Sequence, residues 1–207
     1  MDMNEYLKVK NFTYLEYCDY LQDKYGIGLS DYMTKSYNPN PKCKRTREGL
    51  IAHHKMEDTM IMLSEKRIAM ICPFEWQEKQ NIIYCDYLEH LLLHILICKY
   101  PSEDKMPLAN VGVGGVINFI VPELNDLYSG WETKQAWRKN CHDKVINNKD
   151  VYFELLKLFI TVEKDNVDFD ISDLCRSFNE KYGIWTNKQN NKIYDKIESL
   201  YKEVFYE

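Results

Sequence analysis

The stretch from Asp86 to Pro101 leaves the chain the least freedom. Asp86 followed three residues later by Glu89 is a capping pair, and Leu88, Leu91, Leu92, Ile95 and Leu96 recur at helical spacing until Tyr100-Pro101 ends the pattern. A helix with one side this apolar must bury it against other elements. The same helix carries His90 and His94 at i, i+4, so both rings project from one face about one turn apart, the geometry that lets two imidazoles share a metal ion. Spacing alone favours packing and hydrogen bonding for such a pair, and the argument needs the rest of the chain.

Before this helix, Thr13 and Glu16 form a second capping pair, and Phe12, Leu15, Cys18, Leu21 and Tyr25 repeat at helical spacing up to Gly26. Pro39 and Pro41 make residues 37–41 irregular. Lys42, Lys44, Arg45 and Arg47 follow as a basic cluster, then residues 49–54 read as a short strand ending in His53-His54. Ser64 is placed to cap a short helix running to Met70, and residues 81–85, beginning at Asn81, have the composition of a second strand. Beyond Pro101 the pattern predicts helices over 110–128, 133–145, 150–162, 172–182 and 187–204, with an acidic loop over 163–170. The expectation is an α+β protein, predominantly helical: a helical segment over 1–41, a small β-containing core over 42–100 and a helical region over 101–207.

The charge sum of −5 argues against a protein that coats nucleic acid by general electrostatics, so any such contact must be local, with Lys42, Lys44, Arg45 and Arg47 as candidates. The 7 Cys are odd in number and form no C-x-x-C pair, which favours neither a disulfide framework nor a cysteine zinc finger and fits a reducing compartment. The opening residues carry acid where a signal peptide carries base, and residues 88–98 and 108–121 are shorter than the ~18–20 residues that span a bilayer. A cytoplasmic location without a membrane segment is expected. Gly112-Val-Gly-Gly115 lacks the Gly-Lys-Ser/Thr of a phosphate loop and reads as close helix packing. Cys141-His142 does not place a base beside a nucleophile, and thiol catalysis is set aside. Trp131, Trp137 and Trp185, with many Tyr, belong to the core or to a protein-partner surface on the helical flanks.

A strand ending in His53-His54, a second strand opened by Asn81, and a helix with Glu89-His90-x-x-x-His94 resembles the ββα-metal nucleases, the His-Me finger or HNH endonucleases, of the colicin-like and phage type. The resemblance covers about residues 48–98. It implies that His54 is the general base for water, that His53, His90 and His94 hold a divalent metal ion, and that Asn81 braces the loop between the strands. It further implies DNA phosphodiester hydrolysis leaving 5′-phosphates, in an enzyme of the kind that phage and mobile elements encode. Three imidazoles suit Zn, Ni or Mn better than Mg. The chain departs from the pattern in the 26 residues between His54 and Asn81 and in the acids Glu57, Asp58 and Glu89, which hinder phosphate approach unless one of them orients a ligand histidine. A different class also fits the acidic composition: a protein-binding inhibitor, for instance of a host defence complex, built on the same scaffold.

Overall fold

The computed structural model describes residues 1–106, 111–178 and 187–206, and it is an α+β fold dominated by helices. In chain order the regular elements are α1 (Met3–Val9), α2 (Tyr14–Tyr25), β1 (Ile51–His54), α3 (Lys66–Ala69), β2 (Ile82–Cys85), α4 (Tyr87–Lys99), α5 (Val113–Gly115), α6 (Val121–Tyr128), α7 (Ala136–Val145), α8 (Lys149–Glu163) and α9 (Asn187–Tyr206). Short 3-10 turns punctuate the segment between α2 and β2. No helix among the described residues is long and apolar enough to cross a membrane.

Helix α4 is the axis of the fold. Asp86 accepts hydrogen bonds from the Leu88 and Glu89 amides while its own amide donates to the Glu89 carboxylate, a complete capping box. From Tyr87 to Ile97 only His90 keeps appreciable exposure, because the helix is enclosed by β2, α2, α7, α8 and the turn that follows α5. Each large aliphatic side chain buried this fully contributes about 1.5–3 kcal/mol relative to exposure. Helix α8 supplies the opposing stripe, Tyr152, Leu155, Leu156, Phe159 and Ile160, and α9 closes over it with Ile193, Ile197 and Leu200. Residues from the N-terminal helices, the β-containing segment and the C-terminal helices share one apolar core.

The two strands pair antiparallel, with His53 opposite Ile83 and His54 opposite Ile82. An isolated pair of four-residue strands is marginal in water. Here β2 is buried along its whole length, under α2 on one side and at the start of α4 on the other.

Several elements differ from the sequence expectation for identifiable reasons. The buried stripe of α2 is Tyr14, Tyr17, Cys18 and Leu21, while Leu15 stays about half exposed, because the Tyr14 hydroxyl finds buried partners on β1 and the following turn. Helix α1, capped by Asp2, buries Tyr6 and Val9 and was not expected. Strand β1 starts at Ile51, after the 3-10 turn Thr46–Glu48. Asn81 ends the 3-10 turn Lys79–Asn81 and precedes β2 without joining it. The short helix α3 begins after Glu65, so Ser64 does not cap it. The helix expected over 110–128 is interrupted by a π turn, Val116–Ile120, closed by the Val121 amide on the Val116 carbonyl. Pro122 explains this, since it has no N–H for the next α-helical bond and its ring would strike the preceding turn. Helix α7 starts at Ala136, and the helix expected over 172–182 is a 3-10 turn, Ile171–Cys175, after which Arg176 is extended. Asn110, Tyr182 and Trp185 lie outside the described residues.

Candidate metal centre

Strand alternation separates the two adjacent histidines. His53 points toward α4, where its ring centroid lies 5.2 Å from those of both His90 and His94, and the latter two are 4.8 Å apart. His54 points the other way, against the ring of Tyr32 at 4.3 Å. One candidate ligand atom from each of His53, His90 and His94 lies within 4.8 Å of the others, a buried cluster able to hold a metal ion.

The remaining nitrogens are fixed from outside the cluster. His53 Nε2 meets the Tyr14 hydroxyl at 2.8 Å, and His94 Nδ1 meets the Gly112 carbonyl at 3.2 Å. A hydrogen bond at one ring nitrogen sets the tautomer and aims the other at the metal. The orientation of His94 also depends on Gly112 and Gly115. Gly112 adopts φ +86°, and a Cβ there would lie 2.8 Å from the His94 carbonyl; a Cβ on Gly115 would lie 2.3 Å from the His94 ring. This is the close packing expected of the glycine-rich segment, and the surface it packs on is the metal-facing histidine.

Glu57 completes the arrangement. It lies on the 3-10 turn Lys55–Asp58 directly after β1. One carboxylate oxygen, Oε2, is 3.5 Å from His53 Nδ1 and 3.4 Å from His94 Nε2, and the other, Oε1, is 3.5 Å from His54 Nδ1. The sequence marks Glu57 as a charge that hinders phosphate approach unless it orients a ligand histidine. Its spacing, i+4 from His53 and i+3 from His54, was the available signal.

Burial dominates the electrostatics of the rings. It pushes His53 down to about 3 against the pull of Glu57, and it lowers His90 and His94 as well, so all three are neutral near pH 7. Burial opposes the charge of Glu57, but the imidazoles around it, His53 first, hold its carboxyl below the usual range. Neutral imidazole and ionised carboxylate are the forms that bind a divalent ion. His53 Nδ1 is buried and has no hydrogen-bond partner, an orphaned polar atom aimed into the cluster. The donor set therefore fits a divalent metal.

Asn81 and His54 are linked through the loop. Asn81 Nδ2 donates to the Glu75 carbonyl at 2.7 Å, in the turn Phe74–Gln77. Gln77 of that turn donates to the Leu63 carbonyl at 3.0 Å and places its Oε1 3.2 Å from His54 Nε2. His54 is 1% exposed, held between Glu57 and Gln77. A small apolar cluster of Met60, Leu63 and Cys72, backed by Trp76, anchors the loop that brings Gln77 there.

The basic cluster divides. Lys42, Lys44 and Arg47 are exposed. Arg45 is turned inward, paired with Glu48, donating to the Tyr25 carbonyl at 2.6 Å and stacked 4.8 Å over the Tyr84 ring. A cleft of about 520 Å³ is lined by Lys44, Leu50, Ile51, Ala52, Tyr32 and Trp137. Tyr32 thus touches both the cleft and His54. No protein-family model, no curated protein and no solved structure matches this chain, so the centre is read from its own geometry.

Proposed function

We propose that the protein is a metal-dependent endonuclease of the HNH type that hydrolyses DNA phosphodiester bonds. The observation that carries the reading is the convergence of His53, His90 and His94 from a strand and a helix around an unpartnered buried nitrogen, with Asn81 bracing the intervening loop. Lewis acidity toward a phosphate oxygen and the leaving 3′ oxygen is the chemistry a divalent ion supplies when bound there. His53, His90 and His94 hold the ion, Tyr14 and the Gly112 carbonyl fix the rings, and Asn81 and Gln77 set the position of His54. His54 takes a proton from the attacking water as the water oxygen bonds to phosphorus and the P–O3′ bond breaks; the 3′ oxygen takes a proton from solvent, leaving a 5′-phosphate and a 3′-hydroxyl. The cleft, which Lys44 and Trp137 line and whose Tyr32 also packs on His54, supports a strand of nucleic acid running to that side of the centre.

The test is cleavage of supercoiled plasmid with Mg²⁺, Mn²⁺, Ni²⁺ or Zn²⁺, with EDTA as the stop. His54→Ala is expected to cut at least about a hundredfold more slowly while retaining metal, the scale of losing a general base. Equal cutting by variant and wild type removes His54 from the reaction.

A second reading has its own support. His54 is buried with both ring nitrogens facing partners, so the same centre also suits a metal that staples a protein-binding scaffold. Under that reading wild-type protein with a full metal complement leaves the plasmid intact, and His54→Ala retains the cellular phenotype.

A further inference from the structure

Glu57 stands from two of the three histidines at distances nearer those of a coordination shell than of a hydrogen-bonded network. His94 Nε2 is 3.2 Å from His90 Nε2, a separation that suits either arrangement. The Glu57 contacts decide between them. Charge-assisted N–H to carboxylate bonds run about 2.7–2.9 Å, whereas Glu57 Oε2 stands 3.4 Å from His94 Nε2 and 3.5 Å from His53 Nδ1. Four ligands on a tetrahedron with zinc bonds of about 2.0–2.1 Å lie about 3.3–3.4 Å from one another. An octahedral ion with bonds of about 2.1 Å sets neighbouring donors only about 3.0 Å apart.

We propose that Glu57 is the fourth ligand of a tetrahedral three-histidine, one-carboxylate zinc-type site. The assignment rests on the metal reading above and goes beyond it, because the resemblance that suggests the three histidines provides no such carboxylate. The ligand atoms are His53 Nδ1, His90 Nε2, His94 Nε2 and Glu57 Oε2. The surrounding contacts agree with this set, with His90 the outlying member: it makes no contact with Glu57 within 4.0 Å, and the three histidine ligand atoms spread over up to 4.8 Å. His53 Nδ1 has no alternative partner, while the outer nitrogens of His53 and His94 are taken by Tyr14 and Gly112. Glu57 keeps its second oxygen for His54, so one carboxylate joins the ligand shell to the neighbouring imidazole. A site closed in this way disfavours Mg²⁺, which keeps several waters. Any phosphate that reaches the ion must take the place of Glu57, the one ligand carried on a short turn rather than on a strand or helix.

Cobalt(II) substitution tests this with the full-length chain. Wild-type protein titrated with Co²⁺ should show the intense visible bands of a four-coordinate ion, and azide at stoichiometric concentration should leave them unchanged because Glu57 already fills the fourth position. Glu57→Gln should weaken those bands several-fold and become azide-sensitive. It should also lower Zn²⁺ affinity by more than the roughly 10- to 100-fold typical of losing an outer-shell partner. Co²⁺ uptake with an identical spectrum in Glu57→Gln overturns the assignment and leaves the three-histidine site standing. Azide sensitivity of the wild type overturns it as well, and that measurement does not depend on the variant folding. Failure of the wild type to take up Co²⁺ or Zn²⁺ overturns the metal reading itself.

Discussion

Glu123 and Glu57 both face histidine inside the fold, and their surroundings differ in one respect. Glu123, on α6, receives His142 Nε2 on one side and Arg138 on the other, the guanidinium binding both carboxylate oxygens and lying 4.5 Å over the Trp131 ring. The protein supplies its own cation there, and the group closes as a hydrogen-bonded network. Glu57 meets three imidazoles, and no Lys or Arg pairs with it among the described residues. A partly buried carboxylate without a cation is costly, and its neighbouring His53 Nδ1 has no hydrogen-bond partner. The comparison teaches what separates a buried structural network from a centre: the first balances its charge internally, and the second leaves room for a cation from outside.

The largest expected effect falls on the closed network. Glu123→Ala strands Arg138 and His142 and should destabilise by about 3–5 kcal/mol, the range for removing one partner of a buried pair, while Zn²⁺ stoichiometry stays at the wild-type value. Urea unfolding and elemental analysis read the two quantities, and a loss of metal in this variant would join two regions that the structure keeps apart.

The open centre should respond to the ion. Zn²⁺ at a hundred times its Kd should raise wild-type stability by about 2.7 kcal/mol. His94→Ala should abolish that response. Thermal unfolding that is the same with Zn²⁺ and with EDTA in the wild type would break the contrast at its root.

A smaller effect sharpens the role of packing. Gly115→Ala places its Cβ on the His94 ring and should cost about 1–3 kcal/mol, as overpacking does, together with weaker Zn²⁺ binding. Gly114→Ala meets nothing closer than Asn118 Nδ2 at 3.7 Å and should be neutral or slightly stabilising. Equal zinc affinity in the two variants would show that the glycine contact does not hold the ring.

The smallest effect is on pH dependence. Burial raises the Glu123 carboxyl, but His142 and Arg138 lower it more, so its folded value lies below the unfolded one of about 4.3. The unfolded chain then takes up the proton first as pH falls. The stability this group contributes is present above that range and is lost as pH drops through the folded value. Glu123→Gln should therefore flatten the acid limb of the stability curve relative to wild type, and parallel limbs would remove the carboxylate from the network.

How much of this was legible in the sequence follows the range of the interactions. Both capping boxes, at Thr13 with Glu16 and Asp86 with Glu89, are local chemistry and form as read. The two strands and the imidazole pair on α4 also rest on local periodicity. What was hidden depends on contacts distant along the chain. Leu15 fitted the apolar repeat of α2, yet Tyr14 is buried in its place because its hydroxyl reaches His53 across 39 residues. Arg45 read as a free cation until Tyr25 and Tyr84 closed around it. Gly112 and Gly115 were legible as packing residues, but not the ring they pack on. Glu57 was within reach, since its offset from the histidine doublet is short, but sequence alone leaves such a carboxylate between repelling phosphate and orienting a ligand histidine, and only the turn that folds back places it against His53 and His94.

The spacing of the ligands also sets a timetable for synthesis. His53 and Glu57 emerge first, and His94 follows His53 by 41 residues, which at translation rates of about 5–20 residues per second is a delay of about 2–8 s. Gly112, whose carbonyl aims His94, comes a further 18 residues later. Until the residues of α4 are made, the cluster has only His53 and Glu57 of its candidate ligands. An ion held by these residues would therefore complete its shell only after the central helix has been made, fastening the fold rather than starting it.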